Sequence, residues 1–356
     1  MRCGVEVLRG GLVESVHTVS VAICHASPTG ELVDADVTAA GTVVAADSPR
    51  GVARSAVKPL QAVPLVETGA ADRFGLDTAE LAVAAGSHGG DEPHVAAVRS
   101  LLAKVGLTPD ALECGPHPPL DRGAADALVR RGEAARPEHN NCSGKHAGML
   151  AVCRHLGLPL AGYTAADHPV QRLVTTTLRE LAGVGEGEMI GGIDGCGIPA
   201  FALPLAAWAR AYARFGSAGG LSPARAGAAE RLRRAIAARP TMIAGVGQFD
   251  SLVAGLLGPD ILVKTGAEGT LAGFVVGSDG TTGLAVKASD GSPRAARAVM
   301  ARLIGLFAVA MEPAARDLLE RWSQEEIVNH AGVVVGGLRV VLPDAAAGGP
   351  HRIPLA

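Results

Sequence analysis

Strand-forming segments crowd the two ends of this chain and leave its middle to helices, so any sheet must join pieces far apart in sequence. Between residues 5 and 44, VEVLRGGLVESVHTVSVAICHA and AAGTVVAA carry β-branched residues broken by Gly and polar turns. The last third returns to DILVKTG, GTLAGFVVG, TGLAVKAS, VVVGG and RVVL, with Ser278-Asp279-Gly280 as a hairpin turn. Helical signals fill the interval. Asp77-Thr78-Ala79-Glu80 is a capping box opening AELAVAAG, and residues 92–105 keep helical periodicity up to Gly106. GMLAVCRHLGL follows with Ser143 as its N-cap. Asp167-His168-Pro169 opens VQRLVTTTLRELAG, which Gly183 closes, and residues 205–214, 223–239 and 293–310 complete the helices. Residues 189–193 read as a strand running into the loop Asp194-Gly195-Cys196-Gly197, while 116–122 and 343–350 read as loop. The expectation is an α+β fold. Residues 1–50 and 255–356 form an antiparallel sheet, and 51–254 form a mainly helical region bearing the active-site loops, all within one unit spanning 1–356. Only 3% of residues are aromatic, so the core must be built from Ala, Val and Leu.

A net charge of −3, from 32 basic and 35 acidic residues, gives no electrostatic reason to expect nucleic acid or an anionic membrane as partner. A small neutral or zwitterionic ligand fits better. No segment offers the ~20 lipid-compatible residues of a membrane span, and the first residues lack the apolar run of a signal peptide. The expectation is a soluble, cytoplasmic protein. In that setting six scattered cysteines predict thiols or metal ligands rather than a disulfide framework.

Chemistry concentrates at Arg54-Ser55-Ala56-Val57-Lys58. Three residues apart on a helix, a hydroxyl and an amine share one face with Cβ atoms ~5–6 Å apart, the S-x-x-K arrangement in which lysine takes the proton of a nucleophilic serine. Pro59 has no N–H and is harmless only in a first turn, which puts Ser55 near a helix start, where unpaired amides can stabilise an oxyanion. To serve as base, Lys58 must fall from a pKa of ~10.4 towards neutrality through burial and nearby cations. A second hydroxyl and amine stand out in Ser87, within the turn SHGG, and Lys264, after four strand residues. A strand-end lysine reaching solvent is the alternative for Lys264. Cys142 and Cys196 lie in Gly-containing loops, and with His139 or His146 they would make a metal site; buried thiols are the other reading.

Five segments, ARSAVKPLQ, AAGSHGGDEPH, HNNCSGKHAGML, DGCGIPAFALPL and LVKTGAEG, occur in an order and spacing that resembles the bacterial asparaginase II family, the zinc-containing Rhizobium-type L-asparaginases. The resemblance implies a fold similar to serine β-lactamases, penicillin-binding proteins and glutaminases. It also implies two Ser-Lys pairs, Ser55 with Lys58 and Ser87 with Lys264, in one site. Zinc held by Cys142, Lys145 and Cys196, substrate contacts from Arg54, His88 and Asp194, and a homodimer are implied in the same way. The implied activity is hydrolysis of L-asparagine to L-aspartate and ammonia through an acyl-enzyme. Alternatives are an amidohydrolase acting on glutamine or a β-lactam-like amide, or a non-catalytic zinc-dependent amino-acid-binding protein. Two departures bear on substrate detail: SHGG where SHSG is expected, and Gln248 where Arg often precedes the Phe.

Overall fold

The computed structural model describes residues 2–38, 41–43, 49–308, 311–342 and 352–353. Its main sheet brings the chain ends together as expected. Strands β1 (Arg2–Arg9), β2 (Leu12–Ala26), β3 (Leu32–Thr38) and β4 (Gly41–Val43) come from the beginning. A short β5 (Arg50–Val52), β6 (Ile190–Ile193) and β7 (Pro199–Pro204) form a separate three-stranded sheet, with β7 in the middle. From the other end come β8 (Ile261–Thr265), β9 (Thr270–Val276), β10 (Thr281–Ala288), β11 (Glu326–Val328) and β12 (Val334–Val341). The main order is β11-β12-β1-β2-β10-β9-β8, with β3 also on β2 and all these pairings antiparallel. β1 thus lies between β12 and β2, and β2 pairs with β10 from Thr281↔Ala26 to Ala288↔Val19.

Period-two alternation divides the sheet between two cores. Ala22, Cys24, Ala26, Ala272, Phe274 and Ala285 face the helical region, whereas Val19, Val21, Ile23, Leu271, Val275, Leu284 and Val286 face the helices Pro293–Phe307 and Pro313–Ser323. On the first face the helix Leu205–Ser217 crosses β10 at Gly283, where a Cβ would come within 2.0 Å of the Ala209 carbonyl oxygen. Only glycine permits that approach, and it fixes the helix on the sheet. The same helix then holds the site: Trp208 Nε1 donates to the Gly51 carbonyl at 3.1 Å, and the Tyr212 hydroxyl donates to the Ala56 carbonyl.

Several local expectations are met. The Asp77 capping box is formed with Glu80, and His168 caps the helix Pro169–Ala182 through the Val170 amide, with Gly183 left-handed at its end. Others need correction. Ser143 is the first residue of the helix Ser143–Leu156 rather than its N-cap; Cys142 holds that position, and the Ser143 hydroxyl donates instead to the Glu138 carbonyl. VVVGG and RVVL are parts of one strand, since the glycines at 336 and 337 continue the pairing with β1. Helices Arg122–Arg131, Phe249–Leu257 and Pro313–Ser323, together with β7, were not expected. The helix starting at Pro293 ends at Phe307; residues 39–40, 44–46, 309–310 and 343–350 of the expected elements lie outside the described residues. Among the described residues no helix is long and apolar enough to cross a membrane.

Candidate active site

β5 delivers the chain into a 3-10 turn, Arg54–Val57, followed by the short helix Lys58–Gln61 with Pro59 in its first turn. Ser55 is thus at a helical start, as Pro59 implied, but the first turn is 3-10 rather than α. Lys58, three residues on, is the first residue of the helix that follows. Arg54 has φ +49°, a left-handed conformation rare for a residue with a side chain, and its Nε donates to Asp194 Oδ1 at 2.6 Å. Lys58 is wholly buried, with Nζ donating to the Asn141 carbonyl at 3.1 Å. Among the described residues Ser55 Oγ and Lys58 Nζ share no hydrogen bond. Burial, the largest influence, lowers the Lys58 pKa to about 8; Cys142 opposes the fall, and the charges of Lys145 and Lys264 add to it.

The facing wall comes from the sheet. Lys264 lies on the same side of β8 as Leu262, which packs into the helical core, so the solvent-reaching reading is excluded: it is 1% exposed. Nζ pairs with Asp250 Oδ2 at 2.7 Å and also donates to the Thr265 carbonyl at 2.8 Å. The sheet wall meets the turn at Gly266, where a Cβ would stand 2.5 Å from the Ala53 carbonyl oxygen. Ser87 joins from the turn after the helix Thr78–Ala84; its amide donates to the Ile243 carbonyl at 2.8 Å, and its buried Oγ has no hydrogen-bond partner among the described residues.

Two loops supply thiols. Asn140 accepts the Cys142 amide through Oδ1 at 2.9 Å and donates Nδ2 to the Cys114 and Gly115 carbonyls, which fixes the loop before Cys142. Lys145 Nζ donates to Cys196 Sγ at 3.2 Å. The neighbouring Cys196 thiol holds Cys142 well below the usual thiol pKa; burial opposes this, while Lys145 and Lys58 reinforce it. The Cys196 pKa is pushed up by the facing Cys142 and by burial. Burial acts against charge on Lys145, yet the neighbouring thiolate positions hold its pKa above the ordinary value. Two sulfurs and an amine gathered this closely are a donor set that suits zinc once their protons are displaced. His139 and His146 do not join it. His139 accepts the Arg136 amide, His146 Nδ1 bonds the Tyr163 hydroxyl, and among the described residues no three His, Cys, Asp or Glu side chains converge as a metal site.

These walls enclose a cavity of about 510 Å³ lined by Arg54, Ser55, Ser87, Cys142, Asp194, Cys196, Asp250 and Lys264, among others. Lys58 and Lys145 lie buried behind the lining. Of the expected residues His88 stands apart: its Nδ1 accepts the Gly90 amide at 3.2 Å and its Nε2 bonds Ser143 Oγ at 2.9 Å, so both ring nitrogens are used within the protein. Its geometry is that of a brace between two loops.

The family model for L-asparaginase II matches residues 5–340. The chain belongs to that family. This L-asparaginase II family member is accordingly a hydrolase, an amidohydrolase of asparaginase type at the level of the family. Among curated proteins nothing matches it. A solved structure to which it is similar is a beta-lactamase from Burkholderia ambifaria, at 14% identity, covering 83% of this chain and 96% of that one, with a TM-score of 0.35. Sequence reasoning missed Asp250 and Asn140, which hold the lysine and the thiol loop. The available signal for Asp250 was an acidic residue opening the otherwise apolar stretch FDSLVAGLL.

Proposed function

We propose that the protein hydrolyses L-asparagine to L-aspartate and ammonia through an acyl-enzyme on Ser55. The observation that carries this reading is the convergence of Ser55, Ser87, Lys264, Asp194 and both thiols, from separate segments of the chain, on one cavity. Ser55 Oγ attacks the side-chain amide carbon while Lys58 takes the hydroxyl proton. Of the amides at the start of the Arg54–Val57 turn, that of Ala56 already donates to the Ala53 carbonyl, and the Ser55 amide is the one that would stabilise the developing oxyanion. The C–N bond breaks as the proton taken by Lys58 is relayed to the nitrogen by way of Ser87 and Lys264, ammonia leaves with Lys58 neutral again, and water adds its OH to the acyl carbon and its proton to Ser55 Oγ, releasing aspartate. The absence of a Ser55–Lys58 hydrogen bond does not argue against this chemistry, because catalytic hydrogen bonds often tighten only when substrate is bound.

Arg54 and Asp194, already paired to each other, offer opposite charges to the carboxylate and ammonium of a zwitterionic substrate. Cys142, Lys145 and Cys196 would hold zinc, which when bound supplies positive charge for holding and orienting the substrate. A cytoplasmic homodimer remains part of the proposal. The cavity also has room for glutamine, so the test is ammonia release from asparagine and glutamine by wild type and Ser55→Ala, with and without zinc. Wild type is expected to prefer asparagine and Ser55→Ala to lose about 10³-fold or more in kcat. Near-normal turnover by a folded Ser55→Ala protein would defeat the proposal.

A further inference from the structure

Asp250 is buried, 2% exposed, in the first turn of the helix Phe249–Leu257, a place where negative charge is favoured. Its carboxylate is saturated by two consecutive residues of the facing strand. Oδ2 accepts from Lys264 Nζ at 2.7 Å and from the Thr265 amide at 2.9 Å, and Oδ1 accepts from Thr265 Oγ1 at 2.5 Å. Such a three-point grip fixes the carboxylate in plane and in rotation, and with it the end of β8. An ammonium has three N–H groups. One is committed to Asp250 and a second to the Thr265 carbonyl, so a single N–H remains for the cavity that Lys264 lines with Ser87 and Ser55.

We propose that Asp250 is a positioning residue which, with the Thr265 hydroxyl, aims one Lys264 N–H at the reacting amide. This rests on the asparaginase reading for its kinetic consequence but not for its structural one. Because Asp250 acts through Lys264, removing it should matter only while Lys264 is present. A packing role would cost the same in either background.

The test is a double-mutant cycle on asparagine turnover. Asp250→Asn is expected to lower kcat about 10–100-fold with KM changed less than about threefold, and to lower it less than about threefold in a Lys264→Ala background. Thr265→Val, which removes one of the three contacts and little volume, is expected to cost about 3–10-fold in kcat with Lys264 present and nothing without it. It also stands in if Asp250→Asn does not fold. Equal fractional losses in both backgrounds, or unchanged kcat in a folded variant, would overturn the proposal. A readout without substrate separates its failure from that of the asparaginase reading. In protein carrying ¹⁵N-lysine, the Lys264 ammonium signal, identified by its disappearance in Lys264→Ala, is expected in wild type and lost or shifted in Asp250→Asn and Thr265→Val. No resolved signal in wild type, or an unchanged signal in the variants, counts against a held ammonium whatever the substrate.

Discussion

The two walls of the cavity each bury a lysine, and they give it opposite company. On the helical wall Lys58 donates to a backbone carbonyl, with the low-pKa Cys142 and two further lysine charges nearby, and burial lowers its pKa to about 8. On the sheet wall Lys264 is equally buried but paired directly with a carboxylate. Residue type and burial are therefore not enough to assign a role; what decides is whether a carboxylate is bonded directly to the buried amine. Lys58 is placed to take a proton, and Lys264 to offer a fixed positive donor.

The sharpest way to break this contrast is to remove each amine in turn. Lys58→Ala is expected to cost about 10³-fold in kcat and Lys264→Ala about 10²-fold, both measured as ammonia release from asparagine. Equal losses, or the reverse order, would erase the distinction between base and donor. Next in size is the proposed zinc. Chelation of zinc-loaded protein is expected to raise KM for asparagine about 10–100-fold with a smaller change in kcat, the worth of one charge-assisted contact. Full activity at unchanged KM after zinc removal would separate the thiol cluster from substrate binding. The smallest effect concerns the seam between the walls. Gly266→Ala would put a Cβ 2.5 Å from the Ala53 carbonyl oxygen, and should destabilise the fold by about 1–3 kcal/mol in denaturant titrations. Normal stability in the Gly266→Ala protein would mean that the walls are not rigidly joined there.

The layout of the sheet was legible because β-branched runs and turn signals mark strands wherever they occur, and two ends rich in strands must pair with each other. Ser55 was legible as a helix start because proline tolerates so few positions. The type of that turn was not, since no local signal marks the 3-10 geometry or the left-handed Arg54, whose guanidinium is held by Asp194, 140 residues away in sequence. Ser143 misled for a related reason: a serine just before an apolar helix is a good cap locally, but the tertiary structure gives its hydroxyl to the Glu138 carbonyl. His88 sits inside a motif, and the motif carries no sign that its ring turns inward to Ser143. Asp250 escaped because an acid opening a helix normally faces solvent, and only the arrival of β8 turns this one into a partner for Lys264.

Central to the account is a covalent intermediate on Ser55. The most direct measurement is rapid acid quenching of the enzyme during asparagine turnover, followed by mass analysis of the peptide containing Ser55. The account predicts that this peptide gains the mass of an aspartyl group in wild type and accumulates more of it when water attack is slowed. An aspartyl adduct on the Ser87 peptide, or turnover with no adduct on either serine, would contradict it.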